Sequence, residues 1–135
     1  MEGKNYKLEI ITPKKVVFSG DVESFTAPGV QGSFQVLINH APLLAQVGIG
    51  EMIIRDAAGT VSRFATGGGF VEVSDNHVVM LAESAERPEE IDGSRAKAAK
   101  ERAEARIAKH QAETDLDRAR LALYRAINRL RIAQG

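Results

Sequence analysis

Ten of the twelve glycines fall within the first seventy residues, and none lies between Gly93 and Gly135. Glycine serves tight bends and left-handed backbone and weakens helix interiors, so its distribution divides the chain into two segments with different structural needs. Proline divides it in the same place, since Pro88 is the last one. Charge follows the same boundary. Residues 1–94 carry 7 Lys+Arg against 13 Asp+Glu, whereas residues 95–135 carry 11 against 5, although the whole chain is neutral. Opposite charge on the two segments points to two modules with different partners. A chain of 135 residues fits one ordinary domain, or a small domain with an appendage.

The first segment has a period of two. Tyr6, Leu8 and Ile10 alternate with Lys7 and Glu9; Val71 and Val73 flank Glu72; Val78, Met80 and Ala82 alternate with Val79 and Leu81. Turn signals recur at Pro13, Gly20, Pro28-Gly29, Asn39 to Pro42, Gly48, Ala58-Gly59, Gly67 to Gly69 and Asp75-Asn76. Short alternating strands with that punctuation, from Tyr6 to about Ala82, predict a β-sandwich or flattened barrel. Ser24 to Gly50 has no charged residue, yet its prolines and glycines prevent a membrane-spanning helix. It reads as core strands with one interaction edge. The N-terminus shows no secretory signal pattern, which places the chain in the cytoplasm.

From Arg95 onward Ala, Arg, Lys, Glu and Leu dominate, which is helix chemistry. Leu116, Ala119, Leu123, Ala126, Leu130 and Ala133 form an apolar seam at alternating spacings of three and four. The earlier half carries two alanine-rich stripes, one of Ala96, Ala99, Ala103 and Ile107 and the other of Ala98, Ala105, Ala108 and Ala112. Between the halves, Thr114 and Asp117 have capping-box spacing, and Asp115 suits the first turn of a new helix. No Gly or Pro forces a break. Residues 88–135 therefore admit either a two-helix antiparallel hairpin or one continuous helix, about 58 Å long by its rise per residue. An alanine seam buries little area, so the two forms lie within a few kcal/mol of each other.

Chemistry-bearing motifs are sparse. With no cysteine, thiolate metal sites and thiol nucleophiles are excluded. His40, His77 and His110 stand apart, no ligand pair has metal-binding spacing, and no serine sits in a nucleophile elbow. No catalytic residue and no metal site is expected. Gly67-Gly68-Gly69 leads into an alternating strand, not a helix, and reads as close strand approach rather than a phosphate loop. Ile91-Asp92-Gly93-Ser94-Arg95-Ala96 has two readings: Asp92 as a helix N-cap, or Asp92 and Arg95 at the mouth of an anion site. Arg118, Arg125 and Arg129 share one stripe, with Arg120 and Arg131 pointing elsewhere. Arginine forks match phosphate oxygens, while a solvated basic face is the plainer alternative. Nucleic acid is not an expected partner, because Tyr124 is the only aromatic residue among these cations.

Several of these segments together resemble the epsilon subunits of bacterial F-type ATP synthases. They are Val17-Phe-Ser-Gly20 with Val22-Glu23, Gly32-Ser-Phe-Gln-Val-Leu37, Asn39-His-Ala-Pro-Leu-Leu44, Gly67-Gly-Gly-Phe-Val-Glu-Val73 with Asn76, and Leu81-Ala-Glu-Ser-Ala-Glu86. Gln35 and Ile38 depart from the pattern, where Gly and Pro would be expected. The resemblance implies a β-sandwich over 1–87 joined to a helical hairpin over 88–135. It also implies a non-catalytic subunit of the rotating central stalk, peripheral on the cytoplasmic face of the cell membrane, that couples proton flow to ATP synthesis. Its partners would be the gamma subunit and the c-ring, with Gln31, Ser33, Asn39, His40, Ala41 and Pro42 on the c-ring side. An extended tail would bring Arg118, Arg120, Arg125, Arg129 and Arg131 to an acidic loop of the catalytic beta subunit and inhibit hydrolysis. Ile91-Asp92-x-x-Arg95-Ala96 also matches the bacillus-type motif associated with a regulatory ATP, with or without magnesium. By the same resemblance Glu86, Arg102, Arg125 and Arg129 would complete that site. Two other classes remain open: a free-standing ATP-sensing module, and an adaptor whose basic helix docks on an acidic protein.

Overall fold

The computed structural model describes residues 4–109 and 113–134. Strands occupy the first part in the order β1 (Tyr6–Ile11), β2 (Val16–Gly29), β3 (Gly32–Val36), β4 (Leu43–Val47), β5 (Gly50–Asp56), β6 (Val61–Thr66), β7 (Gly69–Ser74), β8 (His77–Ala82) and β9 (Ala85–Glu86). A single 3-10 turn, Pro88–Glu90, leads into α1 (Gly93–Lys109) and α2 (Glu113–Ala133). The chain divides into two compact units, Met1–Arg87 and Pro88–Gly135.

The predicted alternation is what builds the first unit's core. Tyr6, Leu8 and Ile10 of β1 are buried with Val71 and Val73 of β7 and Val78, Met80 and Ala82 of β8, while their sequence neighbours face outward. Phe25, Met52, Ile54 and Phe64 fill the opposite layer. Strand β2 is long enough to serve both layers. Its start pairs with β1, its middle with β5 and its end with β3. A register irregularity between Val22 and Ser24 lets it bend. Pairing is antiparallel except between β1 and β8, which run parallel. Because β1 also pairs with β2, the path β1-β8-β7-β4-β2 closes on itself and leaves β1 no open edge.

The glycine run performs the close approach expected of it. Gly68 and Gly69 have φ of 111° and 152°, and a Cβ on Gly69 would lie 2.0 Å from the Leu81 carbonyl oxygen. Tyr6 crosses the core to donate its phenol to the Val36 carbonyl at 2.6 Å. Burial pushes the Tyr6 phenol well above its ordinary range. The folded state therefore holds its proton more tightly than the unfolded chain does, so this contribution is complete below pH ~10 and is lost above it. Urea midpoints should fall more steeply above that pH in the native chain than in Tyr6→Phe. The variant should also be about 1–2 kcal/mol less stable at neutral pH, because a buried carbonyl loses its donor.

In the second unit α1 and α2 pack together. Gly93, Ser94 and Lys97 of α1 line one cleft with Leu130, Ala133 and Gln134. The start of one helix thus lies beside the end of the other, and the pair is an antiparallel hairpin. Ala96 and Ala103 are buried on α1, and Leu116, Ala119 and Ala126 on α2, along the predicted seam. Leu123, Leu130 and Ala133 are half-buried, as are Ala99 and Ile107. The second alanine stripe is only partly covered: Ala98 is half-buried and Ala105 and Ala108 are exposed. The expected break at the Thr114 capping box lies next to residues 110–112, which are outside the described residues, as are His110 and Ala112.

Candidate functional site

Three surfaces stand out: two bring together residues that the sequence singles out, and one emerges only from the fold. The first is the β3–β4 loop. Gln31, Ser33, Asn39, Ala41 and Pro42 are exposed and His40 is half-buried. Gln31 and Ser33 sit at the β2–β3 hairpin, whose tip borders a 370 Å³ cleft with Val30, Phe34, Leu43 and Leu44. Asn39 to Pro42 form the loop itself. Asn39 takes a left-handed φ of 62°, which asparagine tolerates better than most residues. His40 donates its backbone N–H to the Leu37 carbonyl at 3.3 Å, and its ring Nδ1 lies 2.6 Å from the Ala41 carbonyl oxygen.

The second surface has no counterpart in the sequence reading. On the outer face of β4, β7, β8 and β1, Phe70 pairs with Leu81, which in turn pairs with Ile11. Leu44 stands diagonal to Phe70 on the same face, opposite Glu72. Leu44 is 73% exposed, Leu81 56% and Phe70 52%. Exposed large side chains grouped across neighbouring strands mark a docking face, unlike apolar residues scattered singly. The available signal was the alternation itself, since Phe70 and Leu81 occupy outward positions of strands whose inward positions are already apolar.

The third surface is the hairpin base. Asp92 caps α1: its Oδ1 accepts the Arg95 backbone N–H at 3.2 Å, and its carbonyl accepts the Ala96 N–H at 3.0 Å. Ile91 is buried and lines a 520 Å³ cleft with Pro88, Glu89, Gly93, Ser94, Lys97, Leu130, Ala133 and Gln134. Ala96 is fully buried in the helix seam. Arg95, Arg102 and Arg125 are exposed and Arg129 is half-buried, and none of the four lines this cleft. The antiparallel packing sets the start of α1, which carries Arg95, near the end of α2. Glu86 belongs to β9 in the first unit, opposite Ala65.

Arg118, Arg120 and Arg131 are exposed on α2. Arg120 lies 3.9 Å from Asp117, and Arg131 donates to the Asn128 side chain at 3.1 Å. An exposed ion pair of that length is weak and leaves the arginine available. Asn128 and Ile132 are buried although both lie off the predicted seam. Among the described residues no group of three or more His, Asp or Glu is placed to hold a metal ion. Among them, too, no helix is long and apolar enough to cross a membrane.

Comparison with known proteins covers both units. Residues 5–88 match the family model of the ATP synthase delta/epsilon chain β-sandwich domain. Residues 89–134 match that of the delta/epsilon chain long α-helix domain. The ATP synthase epsilon chain of Desulforamulus reducens is 43% identical over 131 residues, which is 97% of this chain and 98% of the relative. That of Pelotomaculum thermopropionicum is 51% identical over 109 residues, 81% of each. In fold, the chain is similar to one in the Euglena gracilis mitochondrial ATP synthase, with a TM-score of 0.83 at 22% identity, covering 97% of this chain and 82% of that one.

Proposed function

We propose a function from one premise: this chain belongs to the ATP synthase delta/epsilon family, among the bacterial epsilon chains, which are non-catalytic subunits of the synthase. It acts in the central stalk, where the sandwich joins the gamma subunit to the c-ring and so couples proton flow to ATP synthesis. The complex holds it at the cytoplasmic face of the cell membrane. The outer face with Leu44, Phe70 and Leu81 meets gamma, because an apolar surface of this kind is stable only when covered. The loop with Gln31, Ser33, Asn39, His40, Ala41 and Pro42 meets the c-ring.

The hairpin is the regulator. In its extended form Arg118, Arg120, Arg125, Arg129 and Arg131 reach an acidic loop of the catalytic beta subunit and block hydrolysis. The observation that carries this reading is the seam. Ala96, Ala103, Ala119 and Ala126 are buried in it, and each contributes only about one methyl group, at ~0.8 kcal/mol. Among the described residues Leu116 and Ile132 are the two large buried apolar side chains of the helices. Such an interface closes, yet opens at a cost of a few kcal/mol. A ligand that binds only the closed form then decides the balance. ATP is that ligand, with Ile91 and Asp92 toward the base and Arg95, Arg102, Arg125 and Arg129 supplying phosphate donors. Bound to the closed form alone, it adds about 1.4 kcal/mol at ten times its Kd.

Calorimetric titration of the isolated chain tests the ATP site, with GTP in parallel. Saturable heat with ATP, absent with GTP and at least tenfold weaker in Arg125→Ala, is the expected result; tenfold corresponds to one charge-assisted hydrogen bond of about 1.4 kcal/mol. A flat titration at millimolar ATP would leave Asp92 and Arg95 with the capping role their hydrogen bonds already show.

A further inference from the structure

The loop assigned to the c-ring is tied at one point to a distant hairpin. Asn76 lies 37 positions beyond Asn39 and belongs to the β7–β8 turn, where Asp75 and Asn76 have φ of 49° and 57°. Two successive left-handed residues make the primed turn suited to a two-residue hairpin. The Asn76 Oδ1 accepts the Asn39 backbone N–H at 2.6 Å. Its Nδ2 donates to the Asn39 Oδ1 at 3.0 Å. The backbone N–H can only donate, so it fixes which way the Asn76 amide points, and the second bond follows from the first. On the other side of the turn, the Asn76 carbonyl accepts the Lys7 N–H at 3.2 Å, anchoring the turn to β1.

We propose that Asn76 is a positioning residue for the c-ring loop: its carboxamide holds Asn39 in the left-handed conformation and so sets the shape in which Ala41 and Pro42 meet the c-ring. This rests on the assignment of that loop to the c-ring. Leu43 to Val47 pairs with β7, which fixes where the loop ends but not how residues 37–42 travel. Within that stretch the His40 N–H to Leu37 carbonyl bond, at 3.3 Å, is a local turn that moves with the loop. The Asn76 bonds instead reach outside it, to an element stiffened by two sheet partners. A loop free to sample several shapes must be ordered on binding, which weakens association without removing any contact. Both asparagines are exposed, so water replaces their bonds when they are cut and the sandwich itself loses little.

The test uses the whole synthase, depleted of its native epsilon chain, sealed in vesicles and titrated with full-length variants. The readout is proton pumping per ATP hydrolysed. Asn76→Gly keeps the left-handed turn and removes the carboxamide, while Asn76→Asp keeps the acceptor and loses the donor. Half-maximal pumping should need about three- to tenfold more of the Gly variant, the range given by one to two net hydrogen bonds. The Asp variant should titrate near native, because the Asn39 carboxamide turns to donate its Nδ2 to the carboxylate. The thermal midpoint of each isolated chain should fall by a few degrees at most, in step with the same one or two net hydrogen bonds, with the fold retained. Asn39→Gly combined with Asn76→Gly should be no worse than Asn76→Gly alone, since removing the Asn76 carboxamide already breaks both bonds. Native titration by Asn76→Gly, beside a clear loss in Ala41→Glu, would overturn the positioning role and leave the c-ring assignment standing. Native titration by Ala41→Glu as well would overturn the assignment and the positioning role with it.

Discussion

Removing residues 88–135 should release ATP hydrolysis most strongly when ATP is scarce, and much less when it is abundant. If the extended tail outweighs the closed hairpin nine to one without nucleotide, only a tenth of the complexes turn over, and truncation raises the rate about tenfold. At ten times Kd the closed form gains elevenfold in weight, and the same truncation gives about a twofold rise. Assembly and proton coupling should persist, because the sandwich core from Tyr6 to Ala85 lies entirely within Met1–Arg87. Steady-state hydrolysis over a range of ATP concentrations, with native and truncated chains, measures this. A gain that does not vary with ATP would separate inhibition from nucleotide binding. Failure of the truncated chain to assemble would refute the division of roles between the units.

The second large effect is on stability. Gly69→Ala should destabilise the sandwich by at least about 3 kcal/mol, which lowers the thermal midpoint of a unit this size by about 12 °C or more. At φ 152° a side chain is already strained, and the new Cβ would lie 2.0 Å from the Leu81 carbonyl oxygen and 3.0 Å from the Ala82 Cα. Those are backbone atoms, and neither can retreat. Gly69 is paired to Ala82 on one side and Val47 on the other, so moving it would break register in β4 or β8. Gly32→Ala is the matched control. Gly32 has φ 131° but nothing within 4 Å of its Cβ position, so only the backbone strain applies, about 1 kcal/mol. Equal thermal shifts in the two variants would show that the close approach contributes nothing.

The layers of the fold differ in how legible they are. Period-two burial in β1, β7 and β8 is written locally, because alternate side chains face opposite sides of any strand. The parallel pairing of β1 with β8 is not. It joins Lys7 to His77, and no local pattern specifies so distant a partner. The same holds for Asn39 and Asn76, each readable as a turn residue while their bond is invisible in the sequence. In the second unit, the seam from Leu116 to Ala133 is plain, but hairpin and continuous helix share it, and only packing of α1 on α2 selects the hairpin. Asn128 and Ile132 lie off that seam, yet α2 buries both, so one apolar stripe understates the buried face of the helix. At the hairpin base, the motif that marks Asp92 is also a good helix start, and its cap is real. One carboxylate satisfies both descriptions, so spacing alone could not choose between them.

The central claim is that one tail has two shapes and ATP selects between them. The chain has no cysteine, so Lys97→Cys and Gln134→Cys accept a pair of spin labels and leave the five tail arginines in place. In the closed hairpin both sites lie at the base, where Lys97 and Gln134 line one cleft. Pulsed dipolar spectroscopy on the assembled synthase should then give one short distance at saturating ATP, set by packed helix axes about 10 Å apart. Without ATP a second population should appear near 55 Å, about the rise of a continuous helix between the two labels. A short distance under every nucleotide condition would contradict the account.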